Sequence, residues 1–383
     1  MKRHLIAALM FGLALMAANG ASAGPLEDGV AAAQRQDYAT ALRLWKPLAE
    51  QGNASAQINL GLMYKNGWGV AQDYKEAVRL YRLAAAQGYA DAQYNLGVMY
   101  ADGTGVAQDY KEAVKWFRLA VAQGFAQAQN NLGWMYDNGW GVAQDYKEAV
   151  RLYRLAVAQG NAKAQSNLGV MYADGTGVVR DYKEAMKWFL LAAAQGDADA
   201  QHNLGVMYDQ GKGVAQDYKE AVRLYRLAAA QGNASAQINL GLMYDTGTGV
   251  AQDYKEAVRL YRLAAAQGNA KAQHNLALMY ADGTGVAQDY KEAVKWYRLA
   301  AAQGNASAQS NLGLMYERGN GVAQDYARAH MWINLAASSL TGEDGKTAST
   351  NRDIIAKRMT PSQIAEAQAM ARKCQASNFQ QCD

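Results

Sequence analysis

Cysteine, histidine and net charge are all scarce in this chain, and each shortage removes a class of function. Its 383 residues contain two cysteines, Cys374 and Cys382, both in the last ten positions. Of the four histidines, only His202, His274 and His330 lie beyond the first few residues. No Ser/His/Asp or Cys/His arrangement follows from any spacing, so no enzymatic chemistry, metal or cofactor is expected. The formal net charge is +4, and cations alternate with anions throughout. No basic stripe is present that could track a phosphate backbone, which argues against a nucleic-acid partner.

Long apolar runs are equally scarce. The one candidate, Leu5 to Ala18, follows the basic residues Lys2, Arg3 and His4 and precedes Ala21-Ser22-Ala23. That order is the layout of a secretory signal peptide cut after Ala23, so residues 1–23 are expected to be a leader of the Sec type. The run falls short of the about 20 residues that span a bilayer. The mature chain is therefore expected to have no transmembrane segment and to reside in a bacterial periplasm or be secreted. In such an oxidising compartment Cys374 and Cys382 could close a small loop, with free thiols as the alternative, since spacing does not fix their geometry.

What the chain does have is repetition. Gly67, Gly103, Gly139, Gly175, Gly211, Gly247, Gly283 and Gly319 stand 36 residues apart. Eight repeats run over residues 53–340, preceded by a half repeat and cap at 24–52 and followed by a cap and tail at 341–383. Each repeat reads as two helices. In residues 53–88, Asn53 caps a first helix that Gly67 ends in a left-handed conformation, and Leu60 and Tyr64 share one face. Asp73 then opens a second helix, with Glu76 completing a capping-box-like pair and Ala77, Leu80, Tyr81 and Ala84 directed inward. One such pair buries too little to fold alone, so stacked neighbours must supply the core.

Leu60, Gly61, Tyr64, Ala77, Tyr81 and Ala84 sit at tetratricopeptide spacing, and Gly67-x-Gly69-Val70 with Asp73-Tyr74-x-x-Ala77 resembles the Sel-one-like repeat subfamily. The resemblance covers residues 37–340. It implies an all-α, right-handed superhelix whose first helices line the inner groove, and an adaptor that assembles other proteins. A cysteine-rich branch of that family is linked to penicillin binding and hydrolysis, which makes a cell-wall-directed enzyme the alternative. That branch pairs cysteines within each repeat, and no repeat here contains any.

Differences between the repeats point to where a protein or peptide partner would bind. Repeats 53–88 and 233–268 differ only at Lys65/Asp245, Asn66/Thr246 and Trp68/Thr248. The positions of Ser55, Ile58, Leu62 and Lys65 vary most along the first helix. They fall within roughly 80° of arc nearly opposite the Leu60/Tyr64 face. The stripe they predict includes Ile58, Leu62, Val98, Asn130, His202 and His274. Six aromatics depart from the consensus between residues 68 and 140: Trp68, Tyr89, Tyr94, Phe125, Trp134 and Trp140. As exposed aromatics they would form a partner-binding patch. Packing between helices is the alternative for Tyr89, Phe125 and the Leu62 series. Gln57 and Asn59, which recur in every repeat, are read as structural amides. His202 and His274 lie two repeats apart and so cannot share a metal, and His330 is expected to be solvated.

Overall fold

The computed structural model describes residues 24–379, 381 and 382, so the expected leader lies outside the described residues. The described residues form twenty α-helices and no strand. The chain divides into two compact units, one ending at Leu191 and the other beginning at Ala192. Both are built of repeating helix pairs, giving an all-α solenoid.

Local sequence explains each pair. The Asn53 side chain accepts a hydrogen bond from the Ala56 amide at 2.9 Å and starts helix Ala54–Asn66. Gly67, at φ 71°, ends it in the left-handed region, where a side chain is strained. Asp73 accepts from the amides of Lys75 and Glu76 and starts helix Tyr74–Ala86. The expected capping box forms only by half. The Asp73 amide already donates to the Tyr64 carbonyl at 2.9 Å, so Glu76 turns to Arg79 and pairs with it at 2.7 Å. This arrangement recurs with Asp145, Glu148 and Arg151.

Packing follows from the inward residues. Ala77, Leu80, Tyr81 and Ala84 are fully buried. At Gly61 an added Cβ would lie 2.7 Å from the Tyr81 ring, so glycine lets the first helix settle on the tyrosine. Successive repeats are sewn together by glutamines. Gln57 donates to the Ala49 carbonyl at 3.1 Å, and its own carbonyl accepts from Gln87 at 3.0 Å. Within their own repeats Gln123 donates to Gln93 and Gln267 to Gln237 in the same way. Each also donates across to the preceding repeat, Gln123 to the Gly88 carbonyl at 2.8 Å and Gln267 to the Gly232 carbonyl at 3.1 Å. Each satisfied buried amide contributes about 1 kcal/mol, and an orphaned one would cost more.

The C-terminal unit ends in two further helices. Helix Pro361–Ala376 starts with a complete capping box between Thr360 and Gln363 and buries Ala367, Ala371 and Cys374. Before it lies helix Gly342–Ala356, which the sequence pattern did not mark. Arg358 reaches back to Glu317 of the last repeat at 2.7 Å. A disulfide joins Cys374 to Cys382, whose Cα atoms are 4.5 Å apart.

Candidate partner-binding face

The variable stripe of the first helices is far less open than its position opposite Leu60 and Tyr64 suggests. Tyr94 is only 6% exposed, with its ring centroid 6.0 Å from Phe117 and 5.2 Å from Phe125. Burial pushes its hydroxyl pKa up to about 12. Val98, at 3% exposed, and Asn130, at 7%, are also buried. The expectation that Tyr94, Val98 and Asn130 stand free in a groove is therefore corrected. A solenoid helix is packed between the repeat before it and the repeat after it, so its second face is a seam. Ile58, Leu62, His202 and His274 are half-buried in that seam.

Hydrogen bonds show how the polar members of the stripe are used. Asn167 donates to the Asn130 carbonyl at 2.9 Å, and Asn130 donates to Asn131 at 3.1 Å. His202 stands at the same register. Its Nε2 lies 3.2 Å from the Asn239 amide nitrogen and its Nδ1 3.2 Å from Asn203 Oδ1. Those partners require a neutral ring with the proton on Nδ1. His274 repeats the pattern with Asn311 and Asn275. Burial lowers both pKa values, against the hydrogen bonds donated to Asn203 and Asn275 and, for His202, the charge of Asp199. His330, expected in solvent, is 4% exposed, and its Nδ1 has no partner among the described residues.

The six unusual aromatics do not form one patch. Trp68 stacks on Tyr38 at 5.7 Å. Tyr94 and Phe125 share the buried cluster with Phe117. Tyr89 is 45% exposed, the most open of the six. Tyr89 and Phe125 replace the usual capping residue, and neither makes a side-chain cap. Phe125 packs on Tyr94 in exchange, whereas Tyr89 stays 45% exposed and stacks on no ring among the described residues.

Trp134 and Trp140 meet edge to face at 4.3 Å, and Trp140 also stacks on Tyr110 at 5.0 Å. All three rings are half-buried. A groove-stripe aromatic and a loop aromatic are thus brought together on one surface of the N-terminal unit. Tyr110 was not singled out from sequence. The available signal was its place directly after a capping aspartate, over which the next repeat's loop glycine, Gly141, is laid. The exposed leucines Leu83, Leu119 and Leu155 on the second helices also escaped notice, because a leucine near Tyr81 reads as core.

The comparisons agree with this architecture. A family model for the Sel1 repeat matches nine segments, residues 10–53, 54–89, 90–125, 126–161, 162–197, 198–233, 234–269, 270–305 and 306–339. The chain belongs to the Sel1 repeat family, a tetratricopeptide-like class of helical solenoids. Among solved structures it is similar to a protective antigen of uropathogenic Escherichia coli strains displaying an SLR fold. That match has 32% identity and a TM-score of 0.50, and it covers 93% of this chain and 85% of the antigen. It is also similar to a Sel1 repeat protein from Oxalobacter formigenes, at 34% identity and a TM-score of 0.56, covering 66% of this chain and 98% of that one. No curated protein matches the sequence. Solenoids of this kind are typical protein–protein interaction scaffolds. Among the described residues no helix is long and apolar enough to cross a membrane.

Proposed function

We propose that this protein is an exported adaptor that holds a protein or peptide partner against the first-helix face of its N-terminal unit. In this reading residues 1–23 are a leader, 53–340 the repeats that present the face, and 341–383 a cap that closes the last repeat. The observation that carries it is the half-exposed cluster of Trp134, Trp140 and Tyr110. These large aromatics pack against the buried cluster of Tyr94 and Phe117 and keep part of their surface accessible, and such residues dominate binding energy at protein interfaces. Tyr89, 45% exposed, adds a further accessible aromatic on the same unit.

The test is capture of envelope proteins on the mature chain beside a Trp134→Ala/Trp140→Ala variant, read by mass spectrometry. The reading expects a protein retained by the parent and lost by the variant, while thermal unfolding shows both folded. Equal retention by the two chains would place the partner elsewhere. Retention of nothing by the parent would contradict an adaptor role in the envelope.

A further inference from the structure

The second helices of the C-terminal unit carry a row of side chains that stays open to solvent. Lys219, Arg223 and Leu227 follow one another at steps of four and so line one face of helix Tyr218–Ala230. The row recurs as Lys255, Arg259 and Leu263, and again as Lys291, Lys295 and Leu299. Its three leucines are 43–45% exposed. Arg223, Arg259 and Lys295 are each matched by the glutamate three residues before them. No ion pair reaches Lys219, Lys255 or Lys291 among the described residues. Each of these lysines sits in the first turn of its helix, where a positive charge opposes the helix dipole.

The last repeat shows what this face can hold. There the same row reads Ala327, Met331 and Leu335, so both cations are replaced. Met331 and Leu335 are buried in one cluster with Ile355 of helix Gly342–Ala356 and with Ala371 and Cys374 of helix Pro361–Ala376. The leucine that stands open in three repeats is thus covered in the fourth by helices of the chain itself. The edge of that cover reaches the repeat before it. Phe379 lies 3.2 Å from where a Cβ of Gly304 would stand, just past the helix that carries Leu299. Gly232 and Gly268, at the same register, have nothing within 4 Å. The open row therefore continues from a helix-docking interface that is already built.

We infer that Leu227, Leu263 and Leu299 dock an amphipathic helix of a partner protein, apolar on one side and acidic on its flanks. Successive second helices stack roughly 10 Å apart, about the rise of seven helical residues, so a crossing helix meets one leucine in every two turns. Burial of the exposed leucine surface supplies the attraction, and the three unmatched lysines supply the preference for carboxylates. A second copy presenting the same face would set lysine against lysine. The site is separate from the first-helix face of the N-terminal unit, and either can fail without the other.

The test uses the mature chain and a fluorescein-labelled helical peptide with leucine and alanine on one face and glutamate elsewhere, read by fluorescence anisotropy. Saturable binding is expected, and Leu227→Ser/Leu263→Ser/Leu299→Ser should weaken it about tenfold or more. Lys219→Gln/Lys255→Gln/Lys291→Gln should weaken it about threefold at low ionic strength and leave it unchanged at high. Trp134→Ala/Trp140→Ala should leave it unchanged, whatever that variant does to partner capture. No saturable binding by the parent, or equal binding by the leucine variant, overturns the proposal. So does equal binding of a peptide with lysine in place of glutamate, which would mark an unselective apolar face. Sedimentation with phosphatidylglycerol vesicles is run alongside. Vesicles held by the parent and lost by the leucine variant, with no peptide bound, would assign the row to a membrane surface instead. The leucine variant should melt close to the parent, and a large fall would show that these leucines serve the fold.

Discussion

Tyr94, Asn130 and Ser166 in the N-terminal unit occupy the register that His202, Ile238 and His274 occupy in the C-terminal unit. Asn130 and His202 perform one task. Each accepts from the asparagine of the next repeat and donates to the asparagine that follows it in sequence. An amide and a neutral imidazole both offer one donor and one acceptor at that seam, but only the imidazole titrates near neutrality. The two units thus share a stacking rule and differ in what the seam can respond to. The first-helix starts differ as well. Asp197, Asn233 and Asn269 cap theirs in the C-terminal unit, while Tyr89 and Phe125 leave two uncapped in the N-terminal unit.

Breaking that second contrast should give the largest effect on stability. Phe125→Asn restores a cap but removes the ring packed on Tyr94, for a net loss of about 2 kcal/mol. Tyr89→Asn gains the same cap and loses no ring contact, so it should stabilise by about 1 kcal/mol. Denaturant unfolding of the two variants checks the opposite signs. Equal signs would mean that the two aromatics are used alike.

The histidines sharpen the first contrast. Their folded pKa values are lowered from 6.5, so the stability they contribute is present above that value. It is lost as pH falls through the lower folded values, when a second ring proton displaces the Asn239 and Asn311 amides. The loss should be on the order of 1 kcal/mol per histidine. His202→Asn/His274→Asn imitates Asn130 and should flatten the acid side of the profile while leaving neutral stability nearly unchanged. Melting temperatures across that range for parent and variant test it.

Asp137 should give the smallest effect, with the opposite sign. Burial raises its folded pKa from 3.8, so its favourable contribution is complete below 3.8 and disappears as pH rises through the folded value. At neutral pH the charge opposes folding, and Asp137→Asn should stabilise by about 0.3–1 kcal/mol. The gain should vanish on acidification, as a pH series of unfolding curves would show.

Most of the fold could be read from residues because the repeat sets capping, glycine and core positions in phase. Asn53, Gly67, Asp73 and Tyr81 act where their chemistry places them. The face of the first helix was harder to read. A helical wheel assigns one buried side, and Tyr94 falls opposite it, yet Phe117 of its own repeat and Phe125 of the next cover that side too. Variability suggests openness, whereas at Asn130 and His202 it reflects interchangeable donors and acceptors inside a seam. Trp134 and Trp140 were each visible as unusual, but their contact depends on how the loop folds back beside the helix. Helix Gly342–Ala356 escaped because its polar, glycine-containing sequence shows little apolar periodicity.

The first-helix face of the N-terminal unit is proposed to hold a partner. Amide hydrogen exchange of the mature chain, with and without a captured partner, tests it most directly. Added protection is expected in residues 126–145, over Trp134 and Trp140, with helix Tyr146–Val157 unchanged. Protection confined to the second helices that carry Leu83, Leu119 and Leu155, or to the C-terminal unit, would contradict it.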